Sequence, residues 1–197
     1  KYASAGYYAG DYKTRLYWKK KTTSYTTNIE AYSIKHRPDY NDQFFGSNYY
    51  YWHTALSKTN TLGLESTLKF KKPSLEVGGI YRQIDNHVFY NTSGLPEQLG
   101  STLHYSKLFI SNHLKAGKFH LAHRLIYQNS SQKVMPLPAL SYKASLYKEG
   151  FLFNKNMWAR VGFDVTYFSE FDGYGYNPGV RQFPFSDSRV GGYPMFD

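Results

Sequence analysis

A period of two runs along most of this chain. It is clearest over residues 157–169, where Met157, Ala159, Val161, Phe163, Val165 and Tyr167 share one parity and Trp158, Arg160, Gly162, Asp164 and Thr166 share the other. A β-strand sends successive side chains to opposite faces, so this stretch has one apolar and one polar face. The alternation recurs over residues 62–70, with Leu62, Leu64, Leu68 and Phe70 against Gly63, Glu65, Thr67 and Lys69. It recurs again over residues 119–127, where Leu121 and Leu125 lie opposite Lys118, His120, Arg124 and Gln128. Strands of ordinary globular domains are usually shorter. Segments of about 10 alternating residues separated by turn residues are the signature of a membrane-spanning β-barrel.

Composition agrees. Aromatics make up 19% of the 197 residues, led by 21 Tyr, a load that suits aromatic girdles at two bilayer interfaces. No apolar run approaches the roughly 18 residues of a transmembrane helix. With no cysteine, disulfides and Cys-ligated metals are excluded. The net charge of +10 invites a nucleic-acid reading, but Lys and Arg are spread over the polar parities of many strands rather than gathered into a patch. The one run, Lys19–Lys21, is expected in a turn.

Nine strands are expected, at about 3–18, 24–36, 48–71, 74–88, 101–113, 117–129, 139–148 and 156–171, with a ninth opening near 191. The connections alternate between short (19–23, 71–74, 113–117, 149–155) and long (37–47, 89–100, 130–138, 172–190). Short turns at one rim and long loops at the other is the outer-membrane arrangement, with the long loops outward. The turn-like Ser57–Thr61 would break this alternation. Parity is unchanged across it, so 48–71 reads as one long strand, with two strands joined by a hairpin as the alternative. In 101–113, Leu103, Tyr105, Lys107 and Phe109 oppose Leu108 and Ile110, which suggests a face-shifting bulge. All 197 residues read as part of a single barrel domain.

No catalytic, cofactor or metal residues are expected. His120 and His123 lie three apart and face opposite ways on a strand, and His36, His53, His87, His104 and His113 show no ligand spacing. Asp39–Asp42 lacks the acidic and Gly positions of an EF-hand loop and reads as a surface loop. Asp164 and Glu170 lie roughly 20 Å apart along one strand, too far to act on one bond. Ser106 and His104 share a face, but nothing marks either as activated.

The second half resembles the β-barrel porin family of Bacteroidetes outer membranes. The resemblance is carried, in order, by NHVFYNTSGLPEQ (86–98), KFHLAHRLIYQ (118–128), PLPALSYKASLY (136–147), GFDVTYFSEF (162–171), YNPGVRQF (176–183) and GGYPMFD (191–197). It implies an outer-membrane barrel that passes small solutes and a chain that continues beyond Asp197 to an aromatic end. It carries over no catalytic residue.

The expected fold is therefore all-β, an incomplete antiparallel transmembrane barrel in the outer membrane of a Gram-negative bacterium. Lys13, Arg15, Glu65, Lys69, Arg82, Lys118, Arg124, Lys143, Arg160 and Asp164 are expected to face the lumen. Leu64, Leu68, Phe70, Leu121, Leu125, Leu140, Leu146, Val161, Phe163 and Val165 are expected to face lipid. Basic residues predominate in the first set, so the expected activity is a passive, water-filled pore favouring anionic solutes. The expected partners are outer-membrane lipid, lipopolysaccharide and small solutes, with lipoproteins or other envelope proteins as further candidates, and no nucleic acid. The rival readings are a scaffold barrel bound to lipoproteins, the barrel of an active transporter, and an outer-membrane enzyme.

Overall fold

The computed structural model describes residues 1–197 and every side chain but that of Asp187. Nine strands form one antiparallel sheet in which each strand pairs with the next in the chain: β1 (Tyr12–Lys21), β2 (Tyr25–His36), β5 (Thr59–Phe70), β6 (Ser74–Asp85), β9 (Leu103–Ala116), β10 (Phe119–Ser130), β11 (Leu140–Leu152), β12 (Met157–Phe168) and β15 (Pro194–Phe196). The sheet is open, with β1 and β15 at its edges, so it is a length of barrel wall rather than a closed barrel. Among the described residues no helix is long and apolar enough to cross a membrane.

The connections sort by rim. Residues 22–24, 71–73, 117–118 and 153–156 turn the chain tightly at one rim. At β9–β10 the turn has two residues, with Gly117 first at φ +61, where a Cβ would be strained. The Thr22 hydroxyl accepts from the Tyr25 amide at 3.1 Å and donates to its carbonyl. That places the first turn after Lys21, so Lys19–Lys21 belongs to β1 rather than to a turn.

The other rim carries the long connections, and each of the three longest holds a hairpin of its own. The β2–β5 connection holds the short helix α1 (Tyr40–Gln43) and the hairpin β3 (Phe44–Gly46)–β4 (Tyr51–His53). The β6–β9 connection holds β7 (Val88–Tyr90)–β8 (Pro96–Gln98), and the β12–β15 connection holds β13 (Phe171–Tyr174)–β14 (Phe185–Val190). The expectation of one strand over 48–71 is thus corrected. Trp52 stacks on Phe45 at 4.5 Å between centroids and donates from Nε1 to the Asn41 carbonyl, which ties β4 to β3 instead of to β5. The chain before Tyr12 is also rim, apart from a bridge between Tyr2 and Tyr12.

Candidate functional site

The ladder registers decide which side chains share a face. The pairings Leu16↔Ala31, Ala31↔Leu64, Leu64↔Tyr81, Val77↔Ile110, Ile110↔Leu125, Leu121↔Leu146 and Leu146↔Phe163 run unbroken across the sheet. All ten residues expected to face lipid, Leu64, Leu68, Phe70, Leu121, Leu125, Leu140, Leu146, Val161, Phe163 and Val165, fall on this one face. It is bare: Leu16 is 75% exposed, Val161 74% and Phe163 52%. A monomeric soluble domain rarely leaves so continuous an apolar surface open. Aromatics bracket the aliphatic belt. Trp18, Tyr25, Phe70 and Phe119 lie near the short-turn rim, and Tyr12, Tyr81, Tyr127, Tyr142 and Tyr167 near the long-loop rim. Phe119 and Tyr127 stand roughly 26 Å apart along β10, comparable with the apolar band of about 25 Å on such barrels.

The opposite face is polar. Lys13, Arg15, Glu65, Lys69, Arg82, Arg124, Lys143, Arg160 and Asp164 all lie on it. Lys118 departs from the expected set: it occupies the β9–β10 turn, and its side chain runs beside Gly150, so it stands at the rim rather than on the wall. The suggested bulge in β9 is absent, since its register with both β6 and β10 is unbroken. Apolar residues simply occur on the polar face. Phe109 covers Gly78 and carries the Arg124 guanidinium at 4.8 Å from its centroid, while Arg82 lies 5.9 Å from the Tyr105 ring.

Each glutamate on the polar face is tied to a base on a neighbouring strand. Glu30 meets Arg15 at 3.3 Å, Glu76 meets Lys69 at 3.6 Å, and Glu65 accepts from both Arg82 and Tyr32 at 3.0 Å. Glu149 Oε1 lies 3.0 Å from Nε2 of the buried His120, off the direction of an aligned hydrogen bond. The other His120 nitrogen lies 3.1 Å from His113 Nε2. Tyr147 stacks on the His120 ring at 4.7 Å, and the Arg160 guanidinium carbon sits 3.4 Å from the Tyr147 centroid. Sequence spacing hid this cluster. His113 and His120 become neighbours only through the two-residue turn that fixes the β9–β10 register.

Among the described residues no group of three or more His, Cys, Asp or Glu is placed to hold a metal. Asp42 receives the Asp39 amide at 3.2 Å and the Tyr90 hydroxyl at 2.6 Å, so its carboxylate closes a turn and anchors a loop. His104 Nδ1 pairs with the Tyr81 hydroxyl at 2.8 Å, not with Ser106, and Glu170 pairs with Arg189 at 3.5 Å.

The long loops bind one another. Asn177 donates to the Tyr50 hydroxyl at 2.8 Å, Gln98 bridges to Ser57, Phe89 packs on Phe185 at 5.6 Å, and Tyr7 bonds Pro38 and Gln43. Burial pushes the Tyr90 phenol above its usual range, and the Asp42 carboxylate pushes the same way. Burial also pushes His87 down. Burial would raise the Asp11 carboxyl, but the Lys58 ammonium at 2.8 Å and the Arg37 amide at 3.0 Å outweigh it and hold the carboxyl below its usual range. Leu103, fully buried, and Ile84 occupy the long-loop end of the polar face. Strand neighbours on the same face leave such positions open, so the loops fold inward over that end.

The family assignment agrees with this geometry. A family model described as "Putative porin" matches residues 1–197, the length of the chain. No curated protein matches it.

Proposed function

The chain belongs to this porin family, and we propose that it walls a passive, water-filled pore in the outer membrane of a Gram-negative bacterium, passing small solutes and favouring anions. Lipid and lipopolysaccharide cover the bare apolar face, and the polar face lines the lumen. The observation that carries the anion preference is how the charges are used. Glu30, Glu65, Glu76 and Glu149 are each engaged by a basic partner; against the one unpaired Asp164, Lys13, Lys107, Arg124, Lys143 and Arg160 lie on the same face with no carboxylate within ion-pair reach among the described residues. Unbalanced positive charge along a wet, low-dielectric wall concentrates anions. The role is transport rather than catalysis.

Planar-bilayer recording of the protein purified from its own membrane tests this. The expected result is a steady conductance whose reversal potential in a salt gradient favours chloride over potassium. The preference should shrink at 1 M salt, where the screening length falls to about 3 Å. An inserted barrel that does not conduct would overturn the pore and support a scaffold that holds lipoproteins or other envelope proteins. Conductance that favours cations would keep the pore and overturn the anion preference.

A further inference from the structure

The polar face holds a cavity of about 290 Å³ toward the short-turn rim, spanning β5, β6, β9, β10 and β11. Among its lining residues Lys69, Arg124 and Lys143 carry fixed positive charge beside His113 and His123, Ser111 and Ser145 supply hydroxyls, and Glu76 is the one carboxylate. Glu76 is already matched with Lys69, which leaves the charge of Arg124 and Lys143 uncancelled.

Those two residues are direct cross-strand partners. Residues so placed have Cβ atoms about 4.5–5.5 Å apart, and like charges there repel. The arrangement costs stability unless something negative sits between them. It is also built. Phe109 supports the Arg124 guanidinium from below at 4.8 Å, and Gly78 makes room for that ring. Ser111 lies opposite Arg124 on the other side, and the small Ala122 lies opposite Ser145, so the floor of the cavity is low between hydroxyls and cations.

We propose that Arg124 and Lys143 form a binding subsite for a compact tetrahedral oxyanion, which a permeating solute would occupy through a phosphate or like group. The guanidinium offers two parallel N–H donors that match adjacent oxyanion oxygens, the ammonium adds a point charge, and the serines complete the shell. A dianion answers two fixed positive charges better than chloride does. The proposal rests on the polar face being the wet wall of the pore.

The test measures binding apart from conduction. Inorganic phosphate is titrated into the detergent-solubilised protein at constant ionic strength, with binding followed by phosphorus NMR line broadening. The expected result is saturable binding that sulfate displaces and equal chloride does not. Arg124→Gln and Lys143→Gln should each weaken it roughly tenfold, Arg124→Lys should weaken it less, and Lys155→Gln in the β11–β12 turn should leave it unchanged. Removing either member relieves a like-charge contact, so the variants are expected to fold, as heat-modified gel mobility would report. Displacement by equal chloride would mean simple screening and overturn the subsite. So would binding indifferent to both Gln variants, or no saturable binding to the folded protein. Phosphate binding lost in the variants of a barrel that does not conduct would keep the subsite and overturn the pore. Chloride conduction without saturable phosphate binding would do the reverse.

Discussion

His113 Nε2 and His120 Nδ1 face each other at 3.1 Å, a distance at which one nitrogen must donate and the other accept. His120 is 4% exposed and also carries the Tyr147 stack and the Glu149 contact. One side chain thus joins β9, β10 and β11. His120→Ala should leave the Glu149 carboxylate and the His113 nitrogen without their partner. The expected loss is about 1–3 kcal/mol, read from urea titration of the protein folded into lipid vesicles. A loss near zero would show that the cluster contributes no stability.

Phe163 and Thr166 lie on β12 and face opposite ways. Phe163→Arg places a charge on the bare apolar face and should cost about 2–4 kcal/mol near the bilayer midplane. Thr166→Arg points to the polar face beside Lys143 and should cost much less. Equal costs in the same vesicle titration would contradict the proposed facing.

The two rims should differ in access. Ser93 and Gly175 belong to long connections, whereas Ser74 adjoins a short turn. The absence of cysteine makes labelling clean. An impermeant thiol reagent applied to whole cells should reach Cys introduced at Ser93 or Gly175 and spare Cys introduced at Ser74. The opposite pattern would invert the topology.

Asp11 ties the N-terminal segment to Lys58 and to the Arg37 amide. Its carboxyl is held below its ordinary value despite burial. A group depressed in the folded state contributes stability above its unfolded pKa, about 3.9, and loses it as pH falls through the lower folded value. Hydrogen exchange over residues 1–11 should therefore stay slow at pH 5, once corrected for intrinsic rates, and quicken below about pH 4. Asp11→Asn should be open at both. A wild-type segment equally protected at pH 3 would remove Asp11 as its anchor.

The wall was readable in sequence because each strand of a barrel meets lipid on one side and water on the other, and the period of two records this residue by residue. Val161, Phe163 and Val165 against Arg160 and Asp164 needed no partner strand to be sorted. The rim was not readable in the same way. Trp52 continues the parity of Leu62 and Leu64 by coincidence, because any two extended segments have an even chance of agreeing, while its true partners are Phe45 and Asn41. Phe109 seemed out of place on a polar parity because its seat over Gly78 and beneath Arg124 exists only across strands. The His113–His120 contact likewise follows from register, and Lys118 left the wall because the turn at Gly117 comes two residues later than alternation alone suggested.

Among the described residues the buried aliphatic and aromatic side chains are Leu103, Ile84, Trp52, Tyr105 and Val180, and every one lies in the long connections or at the strand ends beside them. The span between the rims has no dry interior on its own. The protein is therefore two materials joined end to end. At the rim the chain is held by buried side chains and should answer to the solvents that melt water-soluble proteins. Below the rim it is a sheet with one bare apolar face, which the proposed function wraps in bilayer. Stripping lipid should loosen the span first and leave the rim intact, whereas heat and urea should act in the other order.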